Sequence, residues 1–266
     1  MRTENNLICD VNKQHKTMSA SLLQEIEKID AIKWHTIDGE QLNLSYASLF
    51  HKDLADRIFT ELETSTEYYD ADMCKVRVFG KYHNIPRKQV AHSDPDLVYR
   101  FSGSVVPGKP WTPLLAAIRD RVQHLTGGVR YNFVLINRYR NGDDYIGEHR
   151  DSEPELDPQA PIASVSFGAG RDFVLRHADV VRRRRAVPKV KIQLEHGDLL
   201  LMNPPTNACW YHSLPVRKSV HGATKPTHQH GGISNFFLTF KLCLKNIFFI
   251  FHLSISIIFI YSLFES

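Results

Sequence analysis

A histidine and an aspartate stand one residue apart in YIGEHRD, as His149 and Asp151, and a second histidine, His212, follows in WYHSLPV. In an extended strand, residues i and i+2 project to the same side. His149 and Asp151 can therefore grip one ion while Arg150 points elsewhere. Two imidazoles and one carboxylate are the donor set of the facial triad, which holds Fe(II) on one face and leaves the other positions open for a co-substrate and O2. Taken alone the triplet is a weak signal, because the chain has 14 histidines and a His-x-Asp triplet arises by chance. The plain alternative is an exposed loop histidine beside an ordinary aspartate.

The elements around these residues have to decide. From Leu44, LSYASLFHKDLADRIFTELETSTEYY reads as a strand entering an amphipathic helix, with Leu54, Ile58, Phe59 and Leu62 on one face. A short helix is expected at 21–29. VRVFGKYHNIPRKQ reads as a strand and a Pro-containing turn, and LVYRFSG as a short strand. WTPLLAAIRDRVQHLTG is a second helix, started by Thr112-Pro113 and stopped by Gly127. Strand-type runs follow: YNFVLINRYR, PIASVSFGAG, RDFVLRHAD, KVKIQLEHGDLLLMN and NACWYHSLPV. Short strands with Gly, Asn, Asp and Pro turns, after two helices, predict an α+β chain whose β-sandwich or barrel is backed by helices.

With 266 residues, the chain suits one domain of roughly 200 residues plus tails. Its 42% hydrophobic and 23% charged residues are those of a soluble globular protein. A net charge of +4 and a pI of about 8.8 are compatible with a nucleic-acid partner without requiring one. The four cysteines are scattered and form no CxxC pair, which argues against a zinc or disulfide framework and for a reducing compartment. The polar N-terminus carries no secretory signal. After Ile247 the composition breaks: IFFIFHLSISIIFIYSLF is 18 nearly uncharged residues. Three readings stay open there: an altered terminal exon, a membrane tail, or an ordinary helix or strand. His252, three serines and the lack of a following anchor weigh against a membrane.

NFVLINRYRNGDDYIGEHRD, PIASVSFGAGRDFVLRH, HGDLLLMN and TNACWYHSLPVRK, in this order, resemble the AlkB family of Fe(II)/2-oxoglutarate dioxygenases. VFGKYHNIPRKQ and YRFSG resemble its eukaryotic branch that dealkylates double-stranded DNA. The resemblance runs from about Leu44 to Lys241. It implies a double-stranded β-helix (jelly-roll) core with N-terminal helices and a nucleotide-recognition lid. The chain then divides into a variable tail (1–43), a dioxygenase domain (44–241) and the apolar tail (242–266).

The resemblance makes His149, Asp151 and His212 the Fe(II) ligands, with 2-oxoglutarate and O2 as co-substrates. Asn137, Tyr139, Thr239 and Lys241 would bind 2-oxoglutarate. The family's last strand has the form R-x-N/S-L-T-F-R, and both arginines bind 2-oxoglutarate; this chain reads NFFLTFK, with Asn235 and Lys241 in their places. A lysine can pair with a carboxylate as a point charge. On the substrate side, a damaged base must leave the duplex before it is oxidised. Phe79 would be the apolar wedge that fills the gap, where a core strand phenylalanine is the bland alternative. Tyr99, Phe101 and Ser102 would line the base pocket, and Glu153 would contact the base. Arg171 and Asp172 would shape the pocket near the iron. Arg87 and the run Arg182 to Arg185 would meet phosphates, or the run is a solvated loop. His196 reads as a turn residue, and His228 and His230 as solvated loop.

The implied function is DNA repair in the nucleus by oxidative demethylation of 1-methyladenine and 3-methylcytosine in double-stranded DNA, with release of formaldehyde. The expected form is a monomer without a membrane partner. The alternative is a catalytically impaired lesion-binding relative, on the strength of Asn235 and Lys241. A dioxygenase acting on RNA or protein is disfavoured by the wedge.

Overall fold

The computed structural model describes residues 20–217 and 235–243, apart from 79, 96, 102 and 103. Two antiparallel sheets form the core. The larger has seven strands in the order β1-β2-β13-β10-β15-β8-β5. These are β1 (His35–Gly39), β2 (Leu42–Ser48), β5 (Lys88–Ser93), β8 (Phe133–Tyr139), β10 (Ile162–Gly168), β13 (Asp198–Met202) and β15 (Asn235–Lys241). The smaller, β12-β11-β14-β9, is built from β9 (Ile146–His149), β11 (Arg171–His177), β12 (Val190–Leu194) and β14 (Trp210–Leu214). From β8 to β11 and again from β12 to β15 successive strands alternate between the sheets, while β11 and β12 pair within the smaller one, an arrangement of the jelly-roll type.

Strand β15 shows how each side of the large sheet is used. Phe236, Leu238 and Phe240 point into one hydrophobic cluster with helices α2 (Lys52–Ser65) and α3 (Pro113–Leu125). Phe237 points the other way, into the cluster between the two sheets. That leaves Asn235, Thr239 and Lys241, at two-residue spacing, on the inter-sheet side. The helices are placed by their own signals. Thr112 caps α3 by accepting from the Leu115 amide at 3.2 Å, with Pro113 at its first position, and α2 buries Leu54, Ala55, Ile58 and Leu62. Phe59 is half-buried against the same cluster.

The segment before Leu44 is more than a tail. Helix α1 (20–27) buries Leu22 and Ile26 in the helix-side core, and β1 and the start of β2 extend the large sheet. Its few apolar residues are spaced to cover an edge rather than to build a layer, so their pattern is faint in sequence. The KVKIQLEHGDLLLMN run is two strands turned at Gly197, whose φ is +87°. A Cβ there would lie 2.4 Å from the Phe50 carbonyl oxygen, so the turn needs glycine. His196 sits in that turn, between the Gly168 amide at 2.8 Å and Asp56 at 3.0 Å.

Two small hairpins, β3 (Lys75–Val78) with β4 (Lys81–Asn84), and β6 (Val98–Phe101) with β7 (Ser104–Pro107), form separate two-stranded sheets. Among the described residues no helix is long and apolar enough to cross a membrane. The readings of His228, His230 and the segment after Ile247 fall outside the described residues.

Candidate active site

Strands β9 and β14 pair antiparallel, and His149 lies directly across from His212. Their ring centroids are 4.3 Å apart. The chain leaves β9 at Arg150 and brings Asp151 back beside them, with Oδ1 3.9 Å from His149 Nε2. One donor atom from each of His149, Asp151 and His212 lies within 4.8 Å of the others. Neighbouring groups orient these donors. His149 Nδ1 sits 2.9 Å from the Gly147 carbonyl, an acceptor, so Nδ1 carries the proton and Nε2 keeps the lone pair. The Asn207 side chain, on the turn before β14, clasps the Asp151 backbone from both sides. It accepts from the Asp151 amide at 3.0 Å and donates to its carbonyl at 2.8 Å.

The electrostatics suit a cation. Burial drives the His212 imidazole down to about 3, with His149 adding to the effect, so the ring is a neutral donor at pH 7. Burial alone would push the Asp151 carboxyl up. Lys241, His212 and His149 outweigh it and hold the group well below the usual carboxylate range. Asp151 Oδ2 and His212 Nδ1 are both buried without a hydrogen-bond partner. Buried polar atoms of this kind need a partner, and a metal ion supplies one.

These donors open into a pocket between the sheets. Asn137, Tyr139, Ser164, Thr239 and Lys241 line it, with Leu135, Phe173 and Phe237 as apolar walls. Ser164 and Thr239 face each other across β10 and β15. Phe173 stacks on His212 at 5.5 Å between centroids and on Phe237 at 5.9 Å. This stack holds the ligand ring from behind. Lys241, 2% exposed, places Nζ 3.0 Å from Asp151 Oδ1 and 2.8 Å from Glu153 Oε1.

A family model described as "2OG-Fe(II) oxygenase superfamily" matches residues 44–235. The DNA oxidative demethylase ALKBH2 of Mus musculus is 55% identical over 189 residues, covering 70% of this chain and 79% of that protein. The human protein of the same name is 55% identical over 189 residues, covering 70% and 72%. The human alpha-ketoglutarate-dependent dioxygenase alkB homolog 3 is 38% identical over 124 residues, covering 45% and 43%. The chain is a 2OG-Fe(II) oxygenase of the AlkB family. Fe(II) is its metal, and 2-oxoglutarate and O2 are its co-substrates. The donors fit them: two imidazoles and a carboxylate, with buried unpartnered atoms on Asp151 and His212, for iron, a buried ammonium and several hydroxyl and amide groups for an oxo acid.

The oxygenase brings seven of the residues singled out in the sequence into one pocket: the three metal donors, Asn137, Tyr139, Thr239 and Lys241. Glu153 joins them through Lys241. Arg171 is 2% exposed and works as a clamp. It donates to the carbonyls of Asn141 at 3.4 Å, Asp144 at 2.9 Å and Pro215 at 2.9 Å, fastening the loop before β9 to the end of β14. Asp172 does not join the pocket. It alternates with Phe173 on β11, so it faces outward and pairs with Lys191 at 3.0 Å. Arg87 is buried and bonded inward to Asn137 rather than spread on a phosphate-facing surface. Of the arginine run, Arg185 is taken up by Asp179 and Glu40. Tyr99 and Phe101 lie on β6, while Phe79 and Ser102 lie outside the described residues.

Asn207, Phe173, Phe237 and Ser164 escaped the sequence reading. An asparagine in TNAC or a phenylalanine in RDF carries no spacing signal, since each acts by contact across strands. Replacing Asn207 with alanine is expected to weaken Fe(II) binding by about 10- to 100-fold with little change in fold, because it frees the backbone that aims Asp151. Iron titration beside a thermal melt checks this.

Proposed function

We propose that this oxygenase repairs DNA by oxidative demethylation of N-alkylated bases in duplex DNA, with 1-methyladenine and 3-methylcytosine as its lesions. The observation that carries the proposal is the 55% identity to DNA oxidative demethylases over 189 residues, beside an oxygenase match at 44–235 that spans the metal site. Iron with 2-oxoglutarate and O2 supplies the oxidising chemistry that hydroxylates the N-methyl carbon, after which the adduct releases formaldehyde and the plain base. The protein's own part is positional. His149, Asp151 and His212 would hold the ion, with the pocket beside them open to the co-substrate. Phe173 and Phe237 keep that pocket apolar, which strengthens the charge interactions within it.

A base in a duplex must be flipped to reach this site. The two small hairpins would serve as the nucleotide-recognition lid. Phe79, between β3 and β4 in sequence, would be the wedge, and Tyr99, Phe101 and Ser102 would line the base pocket. Glu153, which Lys241 holds, would meet the base's exocyclic edge. Residues 44–241 form the catalytic unit, with the segment before it adding a sheet edge. A nuclear location and a monomeric state follow from a genomic substrate and a site complete within one chain.

The test is direct. Duplex oligonucleotides carrying 1-methyladenine or 3-methylcytosine are incubated with the Fe(II)-loaded chain, 2-oxoglutarate and O2. Formaldehyde release that needs all three, and that is absent on unmodified duplex, is expected. Normal binding to the methylated duplex without formaldehyde would instead identify a lesion-binding relative that no longer turns over.

A further inference from the structure

The co-substrate is a dicarboxylate, and Lys241 is already shared between Asp151 and Glu153. Even with iron neutralising Asp151, an ammonium held by Glu153 cannot by itself balance a dicarboxylate. A positive influence is therefore needed elsewhere in the pocket. Two guanidinium groups lie behind Asn137 and Tyr139: Arg171 sits over the Tyr139 ring, 5.3 Å from its centroid, and Arg87 bonds Asn137. Arg171 directs both terminal nitrogens at backbone carbonyls. Arg87 instead contacts a side chain that lines the pocket: its Nε donates to Asn137 Oδ1 at 2.8 Å, while its Nη1 donates to the Tyr145 carbonyl at 3.3 Å.

That contact fixes the asparagine. A guanidinium has donors only, so the atom facing Arg87 must be the amide oxygen of Asn137. The amide nitrogen, with its two hydrogens, is turned the other way. Two residues along β8, Tyr139 lies on the same face as Asn137, its hydroxyl buried and without a partner. The Asn137 amide hydrogens and the unpartnered Tyr139 hydroxyl, with a cation behind them, form a cradle for an anion.

We propose that Arg87 is the residue by which this chain selects a dicarboxylic oxo acid. It acts as a positioning residue, holding Asn137 as a donor and lending its charge to the end of the pocket where the carboxylate remote from the iron is received. This rests on the pocket being the 2-oxoglutarate site.

The experiment titrates the Fe(II)-loaded full chain, without O2, with 2-oxoglutarate and with 2-oxopentanoate, which lacks the remote carboxylate. The charge-transfer absorption of the chelated oxo acid reads binding without turnover. Arg87→Met is expected to weaken 2-oxoglutarate by about tenfold and to leave 2-oxopentanoate unchanged, with Arg87→Lys recovering part of the loss. Asn137→Asp keeps a partner for Arg87 and so guards against a folding failure; it is expected to show a selective loss at least as large. Equal weakening of both acids would reduce Arg87 to a structural role and overturn the proposal. So would unchanged oxo-acid binding, with or without weaker binding of duplex DNA. If the wild-type chain binds no 2-oxoglutarate at all, the pocket reading itself fails.

Discussion

Replacing Asp151 with asparagine is expected to abolish iron binding and take formaldehyde release down by roughly 10³-fold or more, because the metal supplies several kcal/mol of the chemistry at about 1.4 kcal/mol per decade. The substitution keeps the shape of the side chain. It removes the single negative charge among three donors and turns an amide toward Lys241, which now lies 3.0 Å from the carboxylate. His149 and His212 remain paired across β9 and β14, so the sheet persists while the facial set is broken. Without metal, the fold loses about 1–3 kcal/mol, since Lys241 keeps Glu153 as a partner. Fe(II) titration, urea unfolding and a formaldehyde assay measure the three effects separately. Iron bound at wild-type affinity by the asparagine variant would remove Asp151 from the metal site.

Lys241→Met is the second large effect. The lysine is 2% exposed and joined to two carboxylates. Removing one partner of a buried ion pair leaves uncompensated charge, which costs about 3–5 kcal/mol. Fe(II) neutralises Asp151 on binding, so the deficit measured by urea unfolding is expected to shrink when iron is present. Lys241→Arg keeps the charge and is expected to recover most of that stability. Wild-type stability for the methionine variant in the metal-free state would show that the Asp151–Lys241–Glu153 cluster contributes nothing to the fold.

The difference between these two residues marks how far the sequence could be read. Asp151 declares itself by its place in EHRD, two residues from His149, although it lies just past the end of β9 rather than on the strand. Lys241 is recognisable as a pocket cation only by its place in NFFLTFK, and nothing in that string says that Asp151 and Glu153 already occupy it. Asp172 fails for the related reason: adjacent in sequence to Phe173, it lies on the opposite face of β11, because alternation sends neighbours apart. The helix-side core was legible where periodicity is strong, as in α2 and α3. It was not at β1, an edge strand whose exposed and half-buried residues carry no alternating apolar signal.

By itself, the sequence determined the two backing helices, most strands and the type of fold, because each of these depends on local spacing: two residues per strand repeat, 3.6 per helical turn, and a cap at each end; the metal donors were legible only through the motifs that resemble the AlkB family, since spacing alone does not tie His212 to the His149–Asp151 pair. The tertiary structure alone decided which groups meet across strands. It set His212 opposite His149, closed Asn207 over the Asp151 backbone, stacked Phe173 between His212 and Phe237, and turned Arg87 inward onto Asn137. Such contacts join residues tens of positions apart. Their partners are fixed by sheet register and by the packing of two sheets, and neither leaves a local trace in the order of amino acids.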